Sequence, residues 1–272
     1  RGQSASPTAG DVRLYGVDLW GGVARSIRIR LSWLPMMGEQ ERGPGEVAWS
    51  EEGVPLAPAY QDVYYSRSGP GQGDLVFVEG SDLPARLASG EAITIVETGL
   101  GLGINLLASL RALVAAGSGS MRHASVELHP LTPAVMHEVH ARLGRMDAET
   151  TAFLSVYPEL LALGSASLRI GAHTVPLQLV VGDGAAALRQ LDLRADAVFL
   201  DGFAPALNPA LWSPEVFREL ARLARPGASI ATYTAAGGVR RGLKAAGFDV
   251  ERCVGFGLKR HRLAGTRRPD GA

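Results

Sequence analysis

Short apolar runs alternate with stretches of helical period from Val47 to the end of the chain. The run Ile93-Thr94-Ile95-Val96 is rich in β-branched residues and stops at Glu97, and the stretch after it sets Leu106, Leu107 and Leu110 on one helical face. The alternation then recurs. Residues 124–128 predict a strand, and Thr132-Pro133 opens a helix with proline in its first turn. Residues 175–181 predict a strand ending in Gly182-Asp183, and residues 197–200 one ending in Asp201. A helix over 214–223 is stopped by Arg225-Pro226-Gly227, a strand covers 229–233, and a helix over 239–246 ends at Gly247. The tail, 248–254 and 258–263 around Gly255-Phe256-Gly257, predicts an antiparallel hairpin. Strand and helix in turn imply an α/β fold, a mostly parallel Rossmann-like sheet covered by helices on both faces.

The first third reads differently. Residues 63–65 and 75–78 predict two short strands across a turn-rich segment, forming a small β-hairpin cap, and Asp82-Leu83-Pro84 starts a short helix. Residues 1–45, with Arg25, Arg28 and Arg30 around a modestly apolar middle, predict a disordered or irregular extension. A basic RNA-contacting arm and a targeting peptide are the alternatives. The expected organisation is therefore 1–45 as extension and 46–272 as one domain, with a cap over 46–90 and a core over 91–265.

Composition narrows the function classes. The 272 residues carry 27 basic and 27 acidic side chains, so no global field points to a polyanion, and any RNA contact must come from a local patch. The one cysteine, Cys253, excludes an internal disulfide and a thiolate metal site, and suggests core packing in a reducing cytoplasm. No apolar run reaches the roughly 18 residues of a membrane span, because Glu97 and Asn105 interrupt the best one.

Candidate chemistry concentrates after the strand that ends at Glu97. Gly99, Gly101 and Gly103 follow at two-residue spacing, which permits a left-handed turn and lets a ligand press on backbone amides. A dinucleotide fingerprint would need its third glycine at Ile104 or Leu106. The spacing present, acid-x-G-x-G-x-G, resembles that of S-adenosylmethionine (SAM) methyltransferases; a purely structural turn is the alternative. Glu97, Glu127, Asp183 and Asp201 each close a strand, where ligands of open α/β sheets bind. Carboxylates suit the ammonium, sulfonium, ribose hydroxyls and adenine amino group of SAM. Glu97 is expected near the methionine end, Glu127 at the ribose and Asp183 at the adenine. Asp201 opens a rigid loop, Asp-Gly-Phe-Ala-Pro-Ala-Leu-Asn-Pro-Ala-Leu-Trp212, of the kind that holds ligands.

From about Trp49 to Gly265 the chain resembles the methyltransferase half of the MnmC family of bifunctional tRNA wobble-uridine enzymes. The matching strings include Asp62-Val-Tyr-Tyr-Ser66, Val76-Phe-Val-Glu-Gly80, Glu97-Thr-Gly with Asn105, Ser125-Val-Glu127, Tyr157-Pro-Glu-Leu160, Gly182-Asp183, Leu200-Asp-Gly-Phe-Ala-Pro205 with Asn208-Pro209 and Trp212, and Val239-Arg-Arg-Gly-Leu243. The resemblance implies a class I SAM-dependent methyltransferase that methylates the 5-aminomethyl group of the wobble (thio)uridine in a tRNA anticodon loop. It implies SAM as cofactor with neither FAD nor metal, a separate flavin oxidoreductase for the preceding step, and a cytoplasmic setting. The chain departs from the family pattern at Leu100 and Leu102, which replace Phe and Thr, and at Leu128 and Leu207, which replace lysines. A different amine or small-molecule substrate, a catalytically altered homologue and a non-catalytic binding module are the rival readings.

The implied roles are specific. Asp201 is the catalytic candidate, accepting a hydrogen bond from the substrate amine. Glu97, Gly99, Gly101, Gly103, Asn105, Glu127 and Asp183 are expected to hold SAM. Phe203, Pro205, Asn208, Tyr64 and Tyr65 are expected around the substrate, the aromatics either stacking on the uracil or packing in the core. Arg240, Arg241, Lys259 and Arg260, with Arg262, Arg267 and Arg268, are expected either to meet phosphates or to be plain solvated surface. His137-Glu-Val-His140 is one residue short of a zinc helix and is not read as a metal site.

Overall fold

The run predicted to lead into the glycine turn is strand β6 (Ala92–Thr98), buried on both faces through its second half as a central parallel strand must be. In the computed structural model, residues 13–14, 27–28, 45–64, 71–257 and 260–269 are described, and the chain divides into residues 1–42 and 43–272. In the first unit β1 (Arg13–Leu14) pairs antiparallel with β2 (Ile27–Arg28). The expectations for the rest of residues 1–44 lie outside the described residues.

The second unit is built on an eight-stranded sheet, ordered β12-β13-β11-β10-β6-β7-β9-β8. Its middle strands β7 (Ser120–Glu127), β9 (His173–Val181), β10 (Ala195–Leu200) and β11 (Ala224–Thr232) run parallel with β6. β12 (Phe248–Val254) and β13 (His261–Arg267) form the expected antiparallel hairpin at one edge. The other edge is β8 (Ser165–Ile170), antiparallel to β9 and absent from the sequence reading.

The chain leaves β6 toward β7 and β9, then crosses back to place β10 on the other side. The strand order therefore reverses between β6 and β10, where ligands of such sheets bind. The register aligns the strand ends there: Leu200 pairs with Thr98, and Thr98 with Val126.

The helices carry the signals expected of them. Glycines flank α2 (Ile104–Ala116), with Gly103 before it and Gly117 after it, both left-handed. Thr132 caps α3 (Pro133–Arg142) through its hydroxyl, Asp147 caps α4 (Ala148–Leu163), and Ser213 caps α6 (Pro214–Leu223). Between them α5 (Gly184–Arg189) follows β9, and α7 (Gly237–Ala245) follows β11.

The cap differs from expectation. Its strands are β3 (Ala48–Trp49), β4 (Pro55–Ala57) and β5 (Asp62–Val63), a three-stranded antiparallel sheet in which Leu56 pairs with both Ala48 and Val63. Residues 75–78 are not its partner strand. They lie in a π-helical turn, Gly73–Val78, followed by a 3-10 turn, Glu79–Ser81, and α1 (Leu83–Ala88). Close packing explains the change. At Gly73 a β-carbon would lie 3.2 Å from Asn105 Oδ1 and 3.3 Å from Ala108 Cβ, so this segment presses against α2. Val76, Phe77 and Val78 are all buried there, and a helical turn buries consecutive side chains that a half-exposed hairpin strand cannot.

Candidate active site at the switch point

The four strands β10, β6, β7 and β9 lie side by side from the reversal outward, and their acids range from buried Glu97 through half-buried Asp201 and Glu127 to exposed Asp183. Glu97 has no exposed surface. Its Oε1 accepts from Asn105 Nδ2 at 2.9 Å, and its Oε2 accepts from Ser125 Oγ at 2.8 Å and faces His123 Nε2 at 2.9 Å. Fully engaged in this way, Glu97 lies behind the cleft and supports Asn105. Glu127 is half-buried; Oε2 accepts from the amide of Gly101 at 3.0 Å and Oε1 from that of His129 at 2.9 Å. Asp183 is exposed at the start of α5 and does not cap it.

Asp201 is half-buried at the end of β10. Its Oδ2 accepts from Asn105 Nδ2 at 2.7 Å and its Oδ1 from its neighbour's amide, Gly202, at 2.8 Å. Thr98 ties this backbone to β6: its hydroxyl donates to the Asp201 carbonyl at 2.7 Å and accepts from the Asp201 amide at 3.0 Å. One asparagine thus bridges a deep carboxylate and a shallow one.

The glycine loop is a cradle without side chains. Gly99, Gly101 and Gly103 have φ of 74°, 50° and 71°, a region disfavoured for other residues. A β-carbon on Gly99 would stand 3.3 Å from the Cα of Gly202, and one on Gly103 would stand 2.9 Å from Phe153. No side chain caps α2, so its first amides are available beside the loop. The loop, bare of side chains at these glycines, donates to Glu127 through the Gly101 amide and passes close to the Asp201 and Gly202 backbone at Gly99.

The signature loop after β10 is held from above. Asp62 Oδ2 accepts from the Ala204 amide at 2.8 Å, linking β5 to a residue 142 positions away. The ring of Tyr60 stacks on Phe203 with centroids 4.4 Å apart, and Tyr64 meets Phe203 edge-on at 5.4 Å. From below, Trp212 Nε1 donates to the Phe203 carbonyl at 2.9 Å. Burial first, and the Glu127 carboxylate second, push the hydroxyls of Tyr60 and Tyr64 above the usual phenol range, so both stay protonated. Tyr233 behaves likewise through burial and then the charges of Asp201 and Asp62.

Of the residues singled out from the sequence, the structure brings Asn105, Glu127, Asp201, Phe203, Tyr64 and the three glycines into one place. Pro205 and Asn208 lie half-buried farther along the same loop. Tyr65 and Lys259 fall outside the described residues. Arg240 is half-buried, while Arg241 and Arg260 are exposed. Arg267 and Arg268 are committed to the fold, donating to the carbonyls of Ala221 and Lys244 respectively. The sequence reading missed Tyr60, Asp62 and Tyr233 as members of this site. Long-range contacts, the Ala204–Asp62 hydrogen bond and the rings of Tyr60 and Tyr64 on Phe203, place the cap over the loop, and no local pattern carries that information.

His137 is exposed and His140 is buried, so the two side chains do not share a face. Among the described residues no group of three or more His, Cys, Asp or Glu could hold a metal ion. Among them, too, no helix is long and apolar enough to cross a membrane. Cys253 is a free thiol, half-buried on β12.

A family model described as S-adenosyl-L-methionine-dependent methyltransferase matches residues 145–268. The tRNA 5-methylaminomethyl-2-thiouridine biosynthesis bifunctional protein MnmC of Cupriavidus necator is 44% identical over 230 residues, 84% of this chain and 35% of that protein. Its counterpart in Stutzerimonas stutzeri is 43% identical over 226 residues, 81% of this chain and 34% of that protein. The chain therefore spans about a third of the length of the curated relatives it matches. The crystal structure of MNMC2 from Aquifex aeolicus superposes with a TM-score of 0.63 at 23% identity, covering 85% of this chain and 73% of that one, which shows a shared fold. The chain belongs to the S-adenosyl-L-methionine-dependent methyltransferases, in the family represented by the matching region of the MnmC proteins.

Proposed function

We propose that this chain methylates the primary amine of a 5-aminomethyl group on the wobble (thio)uridine of tRNA, in the cytoplasm and with SAM as donor. The reading rests above all on Asp201, a carboxylate held by Asn105 and Gly202 beside the glycine loop and two residues before Phe203. The substrate class comes from the relatives, whose printed names place them in tRNA 5-methylaminomethyl-2-thiouridine biosynthesis.

Bound SAM would supply an electrophilic methyl group on a sulfonium. Glu127 would hold it at the ribose, Asp183 at the adenine, and the glycine loop with the first amides of α2 at the methionine part. Asn105 and Gly202 each donate to one oxygen of the Asp201 carboxylate and so fix its orientation at the end of β10. In this reading the carboxylate accepts an N–H of the substrate amine and turns the nitrogen lone pair toward the donor. Orientation is worth much in such a displacement, because effective molarities of well-aligned groups reach about 10⁵ M or more. A carboxylate beside an amine also favours the ammonium form, so Asp201 acts as an orienting acceptor and the proton leaves to water. Phe203, flanked by Tyr60 and Tyr64, offers an aromatic surface for the uracil, and Arg240, Arg241 and Arg260 are cations for phosphates.

Isotope-labelled SAM and tRNA from cells lacking this modification provide the test. Label recovered in 5-methylaminomethyl-(2-thio)uridine after nuclease digestion is the expected result. Cofactor binding with no label in any tRNA nucleoside would favour a different amine substrate, a reading to which Leu207 lends weight. It is 45% exposed on the signature loop, where a lysine would have met a polyanion.

A further inference from the structure

His140 is completely buried in the last turn of α3, yet its ring reaches the glycine loop: Nε2 lies 2.9 Å from the carbonyl oxygen of Leu102. Leu102 sits between Gly101 and Gly103, both left-handed. The other anchors of this loop are of a different kind. Gly99 donates to the Val126 carbonyl at 2.8 Å within the sheet, and Gly103 closes a turn on Leu100 at 2.7 Å. Gly101 is tied to Glu127, the acid that the proposed function gives to the ligand. His140 is thus a side-chain tie with no duty toward the ligand.

We infer that His140 is a positioning residue for cofactor binding, fixing the Leu102 carbonyl so that the glycine loop keeps its open backbone. A carbonyl can only accept, so Nε2 carries the hydrogen. Burial is the first cause lowering the ring's pKa, which keeps the imidazole neutral and leaves Nδ1 as an acceptor facing no partner among the described residues. A histidine that merely filled the core would not need its donor nitrogen on this one carbonyl. The inference rests on the SAM reading and is independent of the tRNA substrate.

Titration calorimetry with SAM on the native chain, His140→Leu and His140→Gln tests it, with thermal unfolding as the parallel measurement. The glutamine amide can donate where Nε2 does, while leucine fills space without a donor. His140→Leu should weaken SAM binding about tenfold and His140→Gln by no more than about threefold, the scale of one buried hydrogen bond. Equal affinity in native and leucine proteins, or a glutamine protein as weak as the leucine one, overturns the inference. If the leucine variant does not fold, ¹⁵N spectra of the native histidines decide: a neutral ring protonated at Nε2 supports it, and one protonated at Nδ1 overturns it. Failure of the native chain to bind SAM would instead strike the cofactor reading itself.

Discussion

Asn105 donates to Asp201 at 2.7 Å from the same amide nitrogen that donates to Glu97 at 2.9 Å. Two carboxylates thereby stand close to one neutral donor, one with no exposed surface and one at the cleft. Without that donor, Glu97 loses a partner it cannot replace with water. Asn105→Leu should therefore cost about 1–3 kcal/mol of stability, the penalty for an unsatisfied buried acceptor, as read by urea unfolding. Methyl transfer should fall more steeply than stability, because Asp201 loses its orientation. An unchanged unfolding midpoint would mean that the bridge has no energetic role.

Asp201→Ala removes the proposed orienting acceptor and leaves the residues of the glycine loop unchanged. Turnover should drop on the order of 10²-fold, the scale of a lost near-attack geometry. Cofactor affinity should stay within about threefold, since the backbone of residue 201 remains tied to Thr98. Single-turnover methyl transfer alongside calorimetry separates the two effects. Retained turnover would reduce Asp201 to a structural role.

The parallel core was legible because buried strands announce themselves as apolar runs with an acid or glycine at the end, as at Ile93–Glu97 and in residues 197–201. Long-range packing was not. The run Leu75-Val76-Phe77-Val78 is apolar in a way that suits a strand or a buried helix, and the decision was made by α2 pressing on Gly73. The edge strand β8 carries Ser165, Ser167 and Arg169 among its apolar positions and gave too weak a signal. At the site, residue types were readable and depths were not. Glu97 and Asp201 each close a strand, yet only the fold puts one behind Asn105 and the other in front. Leu100 and Leu102, read as departures in the ligand loop, are buried in the core, so they alter packing beneath the loop and not its face.

Asp62→Ala cuts the link between the cap and the signature loop. The side chain accepts from the Ala204 amide and from the Val63 amide, both at 2.8 Å, and losing the two hydrogen bonds should cost about 1–3 kcal/mol. Its larger effect should be local: the Ala204 amide should exchange with deuterium about tenfold faster or more once its acceptor is gone. KM for the proposed tRNA substrate should rise while SAM affinity holds, because Phe203 loses part of its support. Native-like protection at Ala204 would show that the aromatic stacking alone suffices.

Gly101→Ala and Gly103→Ala should fail differently. Both force alanine into a left-handed conformation, a penalty of about 1–2 kcal/mol. At Gly101 the new methyl meets only Tyr64, at an ordinary 3.5 Å, so the fold should survive and SAM affinity should suffer. At Gly103 it would stand 2.9 Å from the buried ring of Phe153, adding an overpacking cost of about 1–3 kcal/mol. Thermal melts should therefore rank Gly103→Ala well below Gly101→Ala.

His140 should make the fold acid-sensitive. Its folded pKa is lowered, chiefly by burial, while the Leu102 carbonyl and Asp147 pull it upward, and Arg145 and His137 add to the lowering. The unfolded chain therefore binds a proton near the ordinary value of about 6.5 that the folded chain refuses until lower pH. The sign follows: stability from this group is fully present above about pH 6.5 and is lost as pH falls toward the folded value. Urea midpoints of the native chain should drop between pH 7.5 and pH 5.5, and by less in His140→Gln, which has no ring to protonate. Carboxylates that titrate in this range are common to both proteins, so the difference between the two curves isolates the histidine. Parallel curves would mean that His140 accepts its proton in the folded state as readily as in the unfolded one, which its complete burial argues against.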